Sequence, residues 1–330
     1  MKILVYGAGV LGCQLADALS RGKSHVTLLA RGSWKDAIDR EGLVVHHAAQ
    51  FRTSTRDIPT VDHLEPHWIY DVIFVVLQAG QLPDALPELA RNHSRYIVFI
   101  GNNAQAPETE QLLLRNAAVE KEAAFAFFGV AGRREKNRII ALHAGMHLTI
   151  GGVSGPLSPA FSKHLRKAVR RTPIKLIRET QMDAWLKCHL ALILPICYAC
   201  YTVDGHMGRF TPAQRKAILD AALEACILLK TLGIPIREED SEDCFRPGFK
   251  RKIMELMLYL LCKTPLGRLC ASDHAMKAIG EMQVLDREYQ QLRTRSTVVM
   301  PAWAALRTAA LPVLESGCSP SGSSSNRPEF

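Results

Sequence analysis

Apolar positions along the first half of the chain follow two spacings. Short runs at residues 3–6, 72–77 and 96–100 are apolar throughout, as in strands buried on both faces of a parallel sheet. In residues 10–19 and 82–91 the apolar positions recur every three or four residues, which predicts helices. This alternation predicts an α/β domain with a Rossmann-like, doubly wound sheet over residues 1–178.

The later part of this domain is predicted to add strands without intervening helices. Strands predicted at 123–128, 139–143 and 147–151 are expected to extend the sheet. The remaining predicted elements are short strands at 43–45 and 51–53, helices at 33–40, 108–116 and 158–171, and a strand at 174–177.

The second half changes to a helical pattern. Helices are predicted at about 181–203, 212–233, 246–262, 273–295 and 301–315. They predict an all-α domain over residues 179–315. Residues 316–330 are rich in Ser, Gly and Pro and are expected to be a disordered tail.

The first strand ends in a glycine-rich turn of six residues, followed at once by a helical pattern: Gly7-Ala8-Gly9-Val10-Leu11-Gly12. In such a unit the first glycine permits the turn, the second lets a pyrophosphate approach, and the third lets the helix pack on the strand. The helix amino terminus supplies free N–H donors for phosphates. The motif predicts dinucleotide binding.

The residues after the second predicted strand, at 25–29, indicate which dinucleotide binds. An NAD site usually has an acidic residue about 20 positions after the glycines, and this chain has Arg31 there, with Ser33 and Lys35 close behind. A guanidinium is a permanently charged, bidentate phosphate partner. The cofactor is therefore predicted to be NADP(H).

The composition and charge of the chain bear on whether it binds nucleic acid or a membrane. The chain has 330 residues, 48% of them hydrophobic, and a net charge of +9. Two basic clusters, 133–138 and 163–171, contain no aromatic residues, and the second has a helical pattern with its apolar positions on one side. They are interpreted as solvated faces rather than as a nucleic-acid or membrane surface.

Nine scattered cysteines suit a reducing cytosol, where thiols stay unpaired. Cys197 and Cys200 have redox spacing but lie inside the apolar run 190–203, so they are interpreted as core residues. That run contains Pro195 and is expected to be too short to span a membrane. The amino terminus lacks a signal-peptide pattern, and no cluster has metal-ligand spacing. A cytoplasmic protein without a metal is expected; a homodimer stays open.

Lys187 is the first candidate for chemistry. It lies near the start of the first helix of the second domain, immediately before the apolar run. Substrates commonly bind between two such domains, and a lysine there suits a general acid that protonates a carbonyl oxygen. The alternative is a helix-end lysine that only extends its ammonium group into solvent.

Over roughly residues 1–315 the chain resembles the ketopantoate reductase family. The resemblance is carried by the glycine motif with Arg31, Gly101-Asn102-Asn103 after a buried strand, Trp185-Leu186-Lys187, and Glu281 twenty residues before Pro301. It implies reduction of a 2-oxo acid with NADPH between the domains. Lys187 would be the general acid, Asn102 would lie beside the nicotinamide, and Glu281 would bind substrate hydroxyls.

Several positions depart from the family pattern. Gln78 replaces a lysine, Ala191 and Pro195 replace two asparagines that would contact substrate, and Leu269 replaces a serine. Unpaired buried polar groups cost about 1–3 kcal/mol each, so this pocket would bind ketopantoate poorly. The sequence predicts the same reaction on a less polar carbonyl substrate.

Two histidines lie near these positions. His189 follows Lys187 by two residues, so it points elsewhere and is interpreted as a junction residue. His274, on the segment before Glu281, is a candidate substrate contact. Two alternatives to the altered reductase stay open: an authentic ketopantoate reductase and a non-catalytic NADP(H)-binding sensor.

Overall fold

A computed structural model describes residues 1–237, 241–264, 267 and 272–316; the side chains of Ser241, Asp273 and His274 are outside the described set. The chain forms an α/β part followed by a helical part, as the sequence predicts. The last strand of the α/β part ends at Arg178, and the first helix of the helical part begins at Met182.

An eight-stranded sheet organises the α/β part. Its strands, in spatial order, are β12 (Ile174–Arg178), β11 (Met146–Gly151), β8 (Glu122–Phe128), β7 (Tyr96–Ile100), β6 (Val72–Val75), β1 (Lys2–Tyr6), β2 (His25–Leu29) and β5 (Thr60–Val61). All neighbours are parallel except β11 and β8. Every residue of β6 and β7 is buried, which explains their uninterrupted apolar runs.

Helices alternate with these strands: α1 (Val10–Ser20), α2 (Gly32–Glu41), α3 (Leu82–Arg91), α4 (Ala106–Arg115) and α5 (Pro159–Ala168). The chain continues from β1 to β2 on one side and later places β6 on the other side of β1. Strand order therefore reverses at the carboxyl end of β1, where ligands bind in open α/β sheets. The glycine turn lies at this point.

A second sheet differs from the sequence prediction. It has four strands in the order β4 (Arg52–Arg56), β3 (Leu43–His47), β10 (Arg138–Leu142) and β9 (Ala131–Glu135). The prediction that the strand near 139–143 extends the main sheet is wrong, since β10 pairs with β3. The basic cluster at 133–138 lies on the hairpin formed by β9 and β10.

The helical part contains α6 (Met182–Tyr201), α7 (Pro212–Thr231), α8 (Ser241–Phe245), α9 (Phe249–Lys263), α10 (Asp273–Lys277), α11 (Ile279–Thr294) and α12 (Pro301–Ser316). Thr211 caps α7 in a capping box with Gln214, the start that its sequence predicts. The helix predicted at 273–295 is in fact two, because Ala278 has non-helical dihedrals. The predicted tail beyond Ser316 lies outside the described residues.

Helix α6 is the central element of the helical part. At 20 residues it is longer than the predicted apolar run, and by length and composition alone it could cross a membrane. However, 72% of its most apolar window is buried inside the protein. The expectation of too short a run is therefore corrected, while its interpretation as core agrees with Cys197 and Cys200, both buried and unpaired.

Candidate active site

The glycine turn has the geometry of a pyrophosphate cradle. Gly7 has a φ of +118°, and a Cβ atom there would lie 2.4 Å from the Val76 carbonyl oxygen. A Cβ on Gly12 would lie 1.9 Å from the Gly7 carbonyl oxygen, so α1 packs on β1 only without a side chain. A Cβ on Gly9 would meet nothing within 4 Å, so the turn is open where a phosphate would approach.

No side chain caps the start of α1, whose cap residue is Gly9. The first N–H groups of the helix, from Val10 and Leu11 onward, thus have no intrahelical acceptor and can bind an anion. With the open side of Gly9, this arrangement fits a dinucleotide pyrophosphate.

Arg31 caps α2 beside this turn and is exposed. Its Nε donates to the Asp62 carbonyl oxygen at 3.1 Å, and its Nη2 lies 3.5 Å from the Tyr6 hydroxyl. Lys35 forms an ion pair with Asp39 at 2.6 Å. The exposed guanidinium edge is therefore the cation available to a ribose phosphate here.

Trp34 connects α2 to the glycine turn, a contact the sequence did not reveal. Its Nε1 donates to the Ala8 carbonyl oxygen at 2.9 Å, and the guanidinium carbon of Arg134 lies 5.2 Å from its ring centroid. This bond fixes the start of α2, and with it Arg31, relative to the turn.

The carboxyl ends of β6 and β7 bring two predicted residues to the same sheet edge as the glycine turn. Gln78 follows β6 and is exposed; its backbone N–H donates to Gln81, so it caps a short 3₁₀ turn. Asn102 follows β7 and is 9% exposed, with its Oδ1 buried and unpartnered. Asn103 has a structural role instead, since it bonds Thr109 and Gln105 at the start of α4.

Glu281, from the opposite half of the chain, meets this edge. The Asn102 side chain and the Ala79 N–H both donate to its carboxylate, which is 5% exposed. Burial raises the pKa of Glu281 to about 7, and these two hydrogen bonds oppose the rise. Asn102 and Glu281, which the family resemblance assigned to the nicotinamide and to the substrate, therefore lie together.

Helix α11 crosses both loops at this edge. Val284 packs against Gly80 after β6, and Gln291 accepts a hydrogen bond from Gln105 after β7 at 2.7 Å. Glu281 and Glu288, seven residues apart, lie on one face of this helix.

Lys187 is buried on α6, with 6% of its surface exposed. Its ammonium pairs with Asp183, one helical turn earlier. Burial raises the pKa of Glu288 to about 7, and the charge of the Lys187 ammonium opposes this rise. Two carboxyl groups, Asp183 and Glu288, therefore interact electrostatically with Lys187.

Asp183 and Glu288 are site residues that the sequence analysis missed. The i−4 spacing of Asp183 from Lys187 and the i+7 spacing of Glu288 from Glu281 were both readable signals. Glu288 receives the Ala104 N–H, and its second oxygen, Oε2, is buried without a partner.

Two of the residues that depart from the family pattern are buried apolar residues of α6. Ala191 is 1% exposed and belongs to the apolar cluster that includes Ala79 and Ala104 from the loops after β6 and β7. Pro195 is buried one turn later in α6. Leu269 lies outside the described residues, and so does the side chain of His274, although its backbone begins α10.

His189 lies in an aromatic junction. Its ring centroid is 4.2 Å from that of Phe127 on β8 and 5.3 Å from that of Trp185, with which it stacks. This agrees with its interpretation as a junction residue. Among the described residues, no group of three His, Cys, Asp or Glu side chains could hold a metal ion.

The site thus combines a phosphate cradle, a buried amide with an unused acceptor, a buried lysine and two protonatable carboxyl groups. An unpartnered buried acceptor such as Asn102 Oδ1 costs about 1–3 kcal/mol unless a ligand donates to it. A nicotinamide carboxamide or a substrate hydroxyl could supply that donor. The lysine and the carboxyl groups can hold or move protons at a carbonyl.

Comparison with known proteins agrees with this architecture. Residues 3–152 match the family model described as ketopantoate reductase PanE/ApbA. A 2-dehydropantoate 2-reductase of Pyrococcus horikoshii is 28% identical over 86 residues, 26% of this chain and 27% of the relative. That match spans about a quarter of the curated relative's length.

Solved structures resemble the chain over nearly its whole length. The 2-dehydropantoate 2-reductase of Geobacter metallireducens GS-15 has a TM-score of 0.74 at 16% identity, covering 96% of this chain and 100% of its own. A PanE/ApbA family ketopantoate reductase of Ralstonia eutropha JMP134 has a TM-score of 0.71 at 16% identity, covering 96% and 99%.

D-mandelate dehydrogenase, solved with NADH and anilino(oxo)acetate, has a TM-score of 0.69 at 15% identity, covering 96% and 99%. At these identities the likeness to solved structures shows the fold alone. Residues 3–152 of this chain therefore match the ketopantoate reductase family model, and nearly the whole chain has the fold of the solved ketopantoate reductases.

Proposed function

We propose that this protein is an NADPH-dependent reductase of a small 2-oxo acid whose substituent is less polar than that of ketopantoate. The observation that carries the proposal is the meeting of Asn102 and Glu281 at the carboxyl edge of the sheet, the edge that also carries the glycine turn. We infer a cytoplasmic enzyme whose partner is this small substrate.

The chain's own residues account for cofactor binding. The N–H groups after Gly9 would hold the pyrophosphate, the exposed edge of Arg31 would hold a ribose 2′-phosphate, and Asn102 Oδ1 would accept from the carboxamide. Bound NADPH supplies a hydride to the carbonyl carbon. Because the D-mandelate dehydrogenase structures contain NADH, cofactor choice here rests on Arg31 and needs its own test.

The substrate class follows from the apolar positions. Ala191 and Pro195 offer no hydrogen bond to substrate hydroxyl groups, which favours an aliphatic or aromatic substituent. The ligand of the D-mandelate dehydrogenase, anilino(oxo)acetate, is an oxo acid with an aromatic substituent, and this supports the same class.

In the proposed reaction Lys187 donates a proton to the carbonyl oxygen as negative charge develops there. Asp183 holds the ammonium on α6. Glu288, which is near the same ammonium, can return a proton to the lysine afterwards. Glu281, neutral below pH about 7, can bond the substrate without repelling its carboxylate.

The experiment is NADPH consumption by the purified protein with a panel of 2-oxo acids: phenylglyoxylate, branched aliphatic 2-oxo acids and ketopantoate. We expect turnover of an apolar member and poor turnover of ketopantoate. Preference for ketopantoate would establish the authentic ketopantoate reductase. NADPH binding with no turnover of any member would favour the non-catalytic sensor.

A further inference from the structure

A basic cavity lies at the edge of the main sheet opposite the candidate active site. It has a volume of about 200 Å³ and is lined by Met1, Lys23, Ser24, Lys167, Arg170 and Arg171. These residues come from the start of β1, the turn between α1 and β2, and the end of α5 with the turn after it. The glycine turn follows the other end of β1, so a five-residue strand, about 17 Å long, separates the two sites.

The two turns that form the cavity are packed against each other. A Cβ on Gly22 would lie 3.0 Å from the Arg170 carbonyl oxygen, so Gly22 allows the close approach of the α5–β12 turn. The close packing of these two turns therefore brings the basic side chains of the cavity near one another.

The charges around the cavity are uncompensated. Its lining contains four cationic side chains and no carboxylate, and all four are exposed. In the part of the chain that the structure describes, none of them forms an ion pair with Asp or Glu, whereas basic residues elsewhere, such as Arg133 and Arg138, do. Like charges around one cavity repel each other unless an anion lies between them.

Arg171 lies in the turn that follows α5 and has a left-handed φ of +64°. Helices commonly end near such a residue. The turn carries the Arg171 guanidinium to the cavity.

We propose that this cavity is a binding site for a small, multiply charged phosphate anion of the pyrophosphate type, separate from the cofactor and substrate site. Guanidinium groups bind phosphate oxygens in bidentate fashion, and Arg170, Arg171, Lys167 and Lys23 together match an anion with three or four negative charges. A cavity of about 200 Å³ favours a small anion over an extended polyanion.

The test is calorimetric titration of the full-length protein with inorganic pyrophosphate at low ionic strength. Arg170→Ala/Arg171→Ala is expected to weaken binding at least about tenfold, because it removes both bidentate partners. The matched control is Lys163→Ala/Arg166→Ala, which removes the same charge from exposed positions of α5 outside the cavity. The control should bind within twofold of the wild type.

Circular dichroism checks that each variant is folded. Equal weakening in both double variants would overturn the proposal, because it would report overall charge rather than a site. Unchanged binding in Arg170→Ala/Arg171→Ala would also overturn it, since the pyrophosphate would then bind elsewhere, as at the glycine turn. The proposal is also contradicted if the wild type does not bind pyrophosphate. A third contradicting result is that duplex DNA or anionic vesicles bind more tightly than pyrophosphate and that Arg170→Ala/Arg171→Ala weakens this binding.

Discussion

Lys187 interacts with two acidic groups that differ in their surroundings. Asp183 is partly exposed and pairs with it on the same helix, whereas Glu288 approaches from α11 with a pKa raised to about 7 by burial. A lysine held in this way stays in the site instead of extending into solvent. This arrangement disfavours its interpretation as an ordinary helix-end lysine.

Lys187→Ala is expected to lower kcat by about 10² to 10⁴ on whichever 2-oxo acid the wild type turns over, the usual contribution of a positioned proton donor. NADPH affinity, measured by fluorescence titration, should change less than twofold. Asp183→Asn is the control, since it keeps the lysine and should lose far less activity. Near wild-type turnover in Lys187→Ala would remove the general acid from the mechanism.

Glu281→Gln tests whether the buried carboxyl group of Glu281 makes the stability of the protein depend on pH. The folded pKa, about 7, lies above the ordinary value of 4.5, so the folded state keeps a proton that the unfolded state releases between these pH values. The resulting stability is present below pH 4.5 and is lost as pH rises through 7. Glutamine does not ionise, so the variant escapes this loss.

Urea unfolding at pH about 5 and about 8.5 measures the difference. Relative to the wild type, Glu281→Gln should gain about 1–3 kcal/mol at the higher pH compared with the lower one. The same unfolding free-energy difference at both pH values would mean that Glu281 titrates normally.

Among the elements of the fold, the glycine turn imposes opposite constraints at two of its positions. Gly12 has no room for a Cβ because α1 packs on β1 there, while Gly9 has open space. The sequence motif predicted both roles: a Cβ on Gly12 would lie 1.9 Å from the Gly7 carbonyl oxygen, whereas a Cβ on Gly9 would meet nothing within 4 Å.

Gly12→Ala is expected to destabilise the protein, with a lowered Tm and lost cofactor binding, because α1 must move away from Gly7. Gly9→Ala should keep the Tm of the wild type and lose affinity for NADPH, since its methyl group would occupy the path of the pyrophosphate. Thermal unfolding with and without NADPH distinguishes the two. A stable Gly12→Ala protein that binds NADPH would contradict the described packing.

The elements that could be predicted are those specified by local pattern. Strands β1, β6 and β7 are buried on both faces, and the capping box of α7 is visible in Thr211 and Gln214. The small sheet could not be predicted because β10 pairs with β3 from far along the chain, and apolar spacing does not determine a strand's partner. The break at Ala278 falls on a residue with high helix propensity, and the nearby Gly280 lies inside α11, so its position could not be read from the sequence.

For the site, the glycine turn, Arg31 and Lys187 could be predicted from residue type and spacing. Asn102 and Glu281 came from family resemblance, and their contact depends on how α11 packs across two loops. Trp34 could not be found from sequence, because its hydrogen bond to Ala8 depends on the relative placement of two helices.

For the molecule as a whole, we expect a bound dinucleotide to raise the free energy of unfolding. A ligand that binds only the folded state adds about 2.7 kcal/mol at one hundred times its Kd. NADPH is expected to raise the Tm more than NADH at equal concentration, because Arg31 can contact the 2′-phosphate. Arg31→Ala should abolish that difference, with Arg40→Ala, an exposed arginine at the far end of α2, as the control. Equal stabilisation of the wild type by both dinucleotides would contradict the NADP assignment.

Isotope transfer measures directly the proposed transfer of hydride to the carbonyl carbon of a 2-oxo acid. The protein is incubated with NADPH deuterated at both C4 positions and phenylglyoxylate or a branched aliphatic 2-oxo acid, and the product is analysed by mass spectrometry. We expect a 2-hydroxy acid with one deuterium on C2, formed by the wild type and strongly reduced with Lys187→Ala. If NADPH binds but no deuterated 2-hydroxy acid forms from any of these oxo acids, the proposed transfer is contradicted.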